Sequence, residues 1–106
     1  MQEIIATELK QKIDAGEEVQ IIDVREQNER DFAKIPDSKL IPSGEILKRM
    51  NELDSSRPAV LHCHGGGRSS RAIEALKQAG YKGELYNLKG GITAWSDEVD
   101  PSVPKY

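Results

Sequence analysis

The sequence predicts an α/β domain built around a largely parallel sheet. Short apolar runs alternate with amphipathic stretches from end to end, as expected when strands and helices are layered. The chain has 106 residues, of which 37% are hydrophobic and 31% charged, with a net charge of -3. This length suffices for one packed core but not for two. We therefore expect residues 1–106 to form a single domain.

The first elements follow from this alternation. A brief strand at residues 3–5 leads into a helix that we expect Thr7 to cap and Gly16 to end, with Leu9 and Ile13 on its buried face. Residues 19–24 have the apolar character of a buried strand. The first third of the predicted sheet is thus strand, helix, strand.

The middle of the chain predicts two helices separated by a short strand. A helix at residues 28–35 would present Phe32 and Ile35 on one face and end at Pro36, before a strand at residues 39–41. Ser43 is the expected cap of the next helix, whose apolar residues recur at helical spacing: Ile46, Leu47, Met50 and Leu53. Residues 55–58 interrupt that pattern.

The last third predicts two more strands, each followed by a helix. A strand at residues 59–63 precedes a helix that begins near Arg68 and ends at Gly80. A strand at residues 84–88 precedes a helix marked by Ile92, Trp95 and Val99, in which Trp95 is expected to anchor the core. A proline-containing tail, residues 101–106, completes the chain.

Composition limits the partners and the compartment. The longest apolar runs span only a few residues, so no segment has the length of a membrane span or of the apolar part of a signal peptide. The interspersed charges give no reason to expect nucleic acid. We expect a cytoplasmic protein that needs neither cofactor nor metal. Its only cysteine, Cys63, is either an inert buried thiol or a reactive one.

The loop after the fourth predicted strand decides between these two possibilities. It contains Cys63, His64, three consecutive glycines (Gly65, Gly66 and Gly67), Arg68 and Ser69, and it lies at the sheet edge where α/β folds bind ligands. Glycines allow several amide N–H groups to point at one spot, and the following helix adds its positive N-terminal end. Both effects favour a thiolate or persulfide on Cys63 and predict a lowered pKa.

Two arginines strengthen this prediction. Arg68 and Arg71 oppose the helix dipole by roughly 0.3–1 kcal/mol each, a conflict that an anionic ligand would remove. The alternative is a flexible turn with both arginines in water and Cys63 in the core, which explains each feature separately but not their clustering. We therefore predict Cys63 as the catalytic residue. The predicted substrate-binding residues are His64, Gly65, Gly66, Gly67, Arg68, Ser69 and Arg71.

This loop resembles the active-site loop of rhodanese-like domains, in which a cysteine opens a six-residue loop closed by arginine. Residues 22–26 with Glu29, the pairs 35–36 and 41–42, and residues 90–95 are similar to further signatures of that family. The resemblance implies about five mostly parallel strands with helices on both faces. It also implies that Asp23 and Arg25 support the loop or each other, with an ordinary surface salt bridge as the alternative.

The resemblance implies sulfur transfer in two steps. The Cys63 thiolate takes sulfur from thiosulfate or another persulfide donor, and a thiol, cyanide or a sulfur-carrier protein then accepts it. Residues 97–106 are similar to the end of the rhodanese domain in some adenylyltransferase fusions, which favours a carrier protein. The sequence departs from the family pattern at Gln27, Arg30, residues 33–34 and residues 37–38, which leaves the partner open.

Three other interpretations fit parts of this sequence. The segment from His62 to Ser69 resembles the phosphate loop of cysteine-dependent phosphatases and arsenate reductases, but four residues separate Cys63 from Arg68 instead of five. A non-catalytic binding module of the same fold would usually lack the cysteine. A metal site at residues 62–64 needs further ligands that the neighbouring sequence does not supply. His62 is expected to be structural.

Overall fold

The computed structural model describes all 106 residues and contains one sheet. The predicted α/β class is confirmed, and every strand pairing is parallel. The five strands lie in the order β1-β5-β4-β2-β3. They are β1 (Glu3–Ile4), β2 (Gln20–Asp23), β3 (Lys39–Leu40), β4 (Ala59–His62) and β5 (Leu85–Leu88).

Helices cover both faces of this sheet. They are α1 (Ala6–Asp14), α2 (Gln27–Phe32), α3 (Gly67–Gln78) and α4 (Gly91–Glu98). Successive residues of β4 enter opposite cores: Leu61 packs with Ile73 of α3, whereas Val60 packs with Leu9 of α1 and Trp95 of α4. None of the helices has the length and apolarity that crossing a membrane requires. The central strand β4 therefore delivers the residue that follows it, Cys63, between two packed layers.

The predicted cap of α1 is wrong. The helix begins at Ala6, one residue before Thr7, and the carboxylate of Glu8 accepts the N–H of Ile5 at 3.2 Å. Ala6 is fully buried, so core packing sets the helix start ahead of the hydroxyl residue. Leu9 is buried as predicted.

Helix α2 ends at Phe32, three residues before the predicted end. Ala33 is extended, and its carbonyl accepts a hydrogen bond from the buried guanidinium of Arg25 at 2.6 Å. Helix α2 therefore ends at the point where the carbonyl of Ala33 turns to accept this hydrogen bond from Arg25. As a result Ile35 is buried while Phe32 is 56% exposed, so the two do not share a face.

The predicted helix at residues 43–53 is also wrong. Two 3₁₀ turns, Ser43–Glu45 and Met50–Glu52, replace it, and most backbone hydrogen bonds join residues three apart. Gly44 and Asn51 have low helix propensity, which weakens a continuous α-helix. Ile46 and Leu53 still reach the core, but Leu47 is half exposed beside the cysteine loop.

Candidate active site

Cys63 directly follows β4, and the loop after it leads into α3. Its Sγ accepts a hydrogen bond from the N–H of Gly66 at 3.0 Å, and the hydroxyl of Ser69 lies 3.5 Å away. The backbone N–H groups of Arg68 and Ser69 also act on the sulfur. The structure therefore brings several donors to one atom, in the arrangement that the glycine-rich loop predicts.

These donors decide the charge of the sulfur. The Cys63 side chain is buried, at 1% exposure, and burial alone raises the pKa of a thiol. Hydrogen bonds from the hydroxyl of Ser69 and from the amides of Ser69, Gly66 and Arg68 outweigh burial and hold the pKa of Cys63 below its ordinary value. The loop stabilises an anion in a site with almost no water.

Helix α4 orients the start of the loop from outside. The N–H of Ile92 donates to the carbonyl of Cys63 at 3.0 Å, and Thr93 donates to the carbonyl of His64 through its N–H at 3.4 Å and its hydroxyl at 3.3 Å. A side chain on Gly91 would overlap both carbonyl oxygens. Because these carbonyls are bound on the outer side, the later amides of the loop are free to face the sulfur.

The three loop glycines are not equivalent. Only Gly66 has a left-handed backbone, with φ of +112°, and its carbonyl accepts a hydrogen bond from the side-chain amide of Asn87 at 3.2 Å. A side chain on Gly65 would meet open space, and one on Gly67 would meet only the tip of Arg71. The loop therefore requires glycine at position 66 for its backbone geometry.

The guanidinium of Arg68 braces the loop against α2. It donates two hydrogen bonds to the carboxylate of Glu29, at 2.6 and 2.8 Å. The phenol of Tyr106 donates to the same carboxylate at 2.8 Å and accepts from Arg25 at 2.9 Å. The hydrogen bonds from Arg68 are the main reason that the pKa of Glu29 falls to about 2. Arg68 thus acts on Cys63 through its backbone, while its side chain is paired elsewhere.

Arg71 and His64 have different surroundings. Arg71 is exposed, makes no ion pair and lines, with Arg68, a cavity of about 300 Å³ beside Leu47. The ring of His64 stacks on Tyr106, with 4.1 Å between ring centroids, and makes no hydrogen bond to the sulfur. Arg71 is therefore placed to attract anions, whereas His64 faces the C-terminal segment.

The neighbouring strand end carries a buried ion pair. Arg25 donates to both carboxylate oxygens of Asp23 at 2.8 Å, and both side chains are fully buried. The alternative of a surface salt bridge is wrong. His62 is also fully buried, and burial lowers its pKa to about 4. No cluster of three His, Cys, Asp or Glu side chains is arranged to hold a metal ion.

Several residues of this site have no role in the prediction from sequence. Glu29 and Gly91 stand in segments that resemble the family signatures, but their contacts with Arg68 and with the loop carbonyls are not visible there. Asn87 carries no local signal, and Tyr106 lies in the tail that resembles adenylyltransferase fusions without any sign of its contact with Glu29. Each contact joins residues far apart in the chain, and spacing within one element cannot reveal such a contact.

Comparison with known proteins agrees with this geometry. The sequence profile of the rhodanese-like domain family matches residues 5–98. A protein of Allochromatium vinosum named sulfurtransferase is 38% identical over 101 residues, covering 95% of this chain and 94% of that protein. The crystal structure of a rhodanese-like domain protein from Staphylococcus aureus superposes with a TM-score of 0.85 at 33% identity, covering 100% of this chain and 99% of that one.

Two further relatives are longer than this chain. MoeZ of Mycobacterium tuberculosis, named an adenylyltransferase/sulfurtransferase, is 38% identical over 108 residues, which cover 97% of this chain but 26% of MoeZ. YrkF of Bacillus subtilis, whose name classes it with sulfur carrier proteins, is 38% identical over 98 residues, which cover 92% of this chain and 52% of YrkF. The predicted similarity to adenylyltransferase fusions is confirmed for this domain.

Proposed function

Because the chain belongs to the rhodanese-like domain family, we propose that it is a sulfurtransferase that carries transferable sulfur as a persulfide on Cys63. The observation that carries this proposal is the set of hydrogen-bond donors around Sγ, which outweighs the cost of burying an anion there. Relatives at 38% identity bear sulfurtransferase names. We also propose that residues 1–106 act as one unit in the cytoplasm.

The first step loads the cysteine. The Cys63 thiolate attacks the outer sulfur of thiosulfate, a new S–S bond forms, and the original S–S bond breaks with its electron pair leaving on sulfite. The product is a persulfide whose outer sulfur carries the negative charge. The amides of Gly66, Arg68 and Ser69 support the charge before and after this step, so little reorganisation is needed.

The second step removes the outer sulfur from Cys63. A thiolate, on a small molecule or on a sulfur-carrier protein, or cyanide attacks the outer sulfur, and the Cys63 thiolate leaves with the electron pair of the broken S–S bond. Donor and acceptor are both anionic in the usual cases. Arg71, together with the outer face of Arg68, would attract them to the cavity beside the loop.

Access to the sulfur requires movement of the loop. Cys63 is only 1% exposed, so a donor must displace part of the covering segment. Gly65 borders open space, and Gly67 is not held in a left-handed conformation. The backbone on either side of the anchored Gly66 therefore has room to shift. His64 would move with this segment and lose its stacking on Tyr106, and only after that movement would it touch an entering donor.

Intact mass spectrometry tests the proposal. After incubation with thiosulfate, the protein should gain one sulfur atom, about 32 Da, and lose it again on treatment with a thiol reductant. Cys63→Ser should gain nothing and serves as the control, since the serine preserves the size of the side chain. A mass that stays unchanged with thiosulfate and with inorganic polysulfide would contradict the proposal. Cys63-dependent hydrolysis of an aryl phosphate would then favour the phosphatase interpretation.

A further inference from the structure

The hydroxyl of Ser69, beside the sulfur, has three possible hydrogen-bond acceptors but only one proton to donate. The Oγ of Ser69 lies 2.5 Å from Oδ1 of Asn87, 3.2 Å from the carbonyl of Gly66 and 3.5 Å from Sγ of Cys63. A serine hydroxyl has one proton, so it donates fully to one acceptor at a time. Ser69 and Asn87 are 0% and 5% exposed, so water does not supply a substitute donor. The distances make Asn87 the acceptor in the resting geometry.

Asn87 is itself held in one orientation. Its Nδ2 donates to the carbonyl of Gly66 at 3.2 Å, which turns Oδ1 towards Ser69. Gly66 is also the residue whose N–H donates to Sγ at 3.0 Å. The side chain of Asn87 therefore contacts Gly66 and Ser69, two of the three residues that donate hydrogen bonds to Sγ, although it does not contact the sulfur.

We propose that Asn87 is a positioning residue for the sulfur on Cys63: it fixes Gly66 and holds the Ser69 hydroxyl, whose proton turns to the sulfur when the sulfur becomes anionic. An ionised acceptor forms a hydrogen bond roughly twice as strong as a neutral one, which favours the rotation. The hydroxyl keeps its proton, and no covalent bond changes. This inference rests on Cys63 being the sulfur-carrying residue proposed above.

The charged groups around Cys63 are paired or neutral, except for Arg71, which is exposed to solvent. Arg68 on α3 is bound to Glu29 on α2, and Asp23 is bound to Arg25 at the end of β2. His62 on β4 is uncharged near neutral pH, because burial lowers its pKa to about 4. The neighbours contributed by β5 and α4 are the uncharged Asn87 and Ile92, and Arg71 on α3 is exposed. The hydroxyl of Ser69 is therefore the one donor free to respond to the sulfur by a simple rotation.

The test measures the midpoint of the pH-dependent alkylation of Cys63 by iodoacetamide, with no sulfur donor present. Asn87→Asp should raise this midpoint by about one unit or more, since the carboxylate keeps the Ser69 proton, cannot donate to Gly66 and adds a negative charge. In a Ser69→Ala background the same substitution should shift the midpoint by no more than half as much, because no hydroxyl remains to be withheld. Ser70→Asp adds a carboxylate to the same turn of α3 and should shift both backgrounds equally.

Equal shifts by Asn87→Asp in the two backgrounds would overturn the inference, since they would mean that the carboxylate acts through charge alone. If that variant does not fold, the wild-type protein supplies the test. The side-chain amide signals of Asn87 in NMR spectra should then titrate with the midpoint of alkylation, and signals that do not move would overturn the inference. A failed sulfur transfer with these couplings intact would count against the proposed function only.

Discussion

Two buried polar centres lie side by side at the ends of β2 and β4, and they hold charge in different ways. Asp23 and Arg25 form an ion pair with two hydrogen bonds of 2.8 Å, and the guanidinium of Arg30 lies 3.5 Å from the same carboxylate. Cys63 instead receives backbone and hydroxyl donors, while the guanidinium of Arg68, which ends the loop, is paired with Glu29. The permanent charge of Asp23 is neutralised by a permanent partner, whereas the sulfur of Cys63 is held by oriented dipoles. The centre without a counter-ion, Cys63, is the one at which we propose that sulfur transfer takes place.

Breaking the ion pair should give the largest effect. Asp23→Asn leaves the fully buried guanidinium of Arg25 without a carboxylate, and loss of one partner of a buried pair costs roughly 3–5 kcal/mol of unfolding free energy. Urea denaturation followed by circular dichroism measures this loss. Asp31→Asn, on the exposed face of α2, is the matched control and should change the stability little. A loss below about 1 kcal/mol for Asp23→Asn would remove the contrast between the two centres.

The pH dependence of stability should reveal His62, which adjoins both centres. The pKa of His62 is about 4 in the folded protein, whereas its ordinary value is 6.5. Between pH 4 and 6.5 the imidazole is therefore protonated in the unfolded chain but not in the folded protein. Stability should therefore fall on acidification from pH 6.5 to 4, by roughly 3 kcal/mol in all.

Replacement of the ring isolates this contribution. His62→Phe keeps a buried ring of similar size and should flatten the fall between pH 6.5 and 4, measured as the denaturation midpoint in urea at each pH. The further loss below that window should persist, because Glu29 has a lowered pKa of about 2 and its stabilising effect disappears as it is protonated. An unchanged profile in the variant would assign the acid sensitivity to other groups.

Substitutions of two loop glycines should lower the stability less, and they form a matched pair of variants. Gly66→Ala places a side chain on a left-handed backbone, which costs roughly 1–2 kcal/mol. Gly65→Ala enters open space and should change the unfolding free energy by less than about 0.5 kcal/mol. Equal losses for the two variants would mean that the loop does not depend on the conformation of Gly66.

The brace between Arg68 and Glu29 should matter least for stability. Arg68 is 32% exposed, so Glu29→Gln should cost only about 0.5–1 kcal/mol despite the short contacts. Glu74→Gln, on the exposed face of α3, is the control and should be neutral. A loss of several kcal/mol of unfolding free energy for Glu29→Gln would mean that this ion pair contributes as much to stability as the buried pair of Asp23 and Arg25.

The sequence predicts the parts of the molecule that depend on local pattern. The strand before Cys63, the glycine-rich turn and the amphipathic face of α3 all follow from residues within one segment of chain. The segment at residues 43–53 shows the limit of this approach, since its apolar spacing fits an α-helix while its backbone adopts 3₁₀ turns.

The supports of the site escape such reasoning for a different physical reason. Glu29 and Arg68 lie 39 residues apart, Asn87 and Gly66 21 apart, and Tyr106 and Glu29 77 apart. Their contacts exist only once the sheet order brings the ends of β2, β4 and β5 together. A prediction of Asp23 and Arg25 as supports needed the family resemblance, because nothing in their spacing marks a buried pair.

The most direct test is a pH titration of the wild-type thiol, followed by thiolate absorbance near 240 nm. We expect the midpoint for Cys63 to lie below that of a cysteine in an unstructured peptide of residues 61–71 in the same buffer, with Cys63→Ser as the baseline. A midpoint equal to or above that of the peptide would mean that burial outweighs the loop donors, and the account of an anionic sulfur at this position would be wrong.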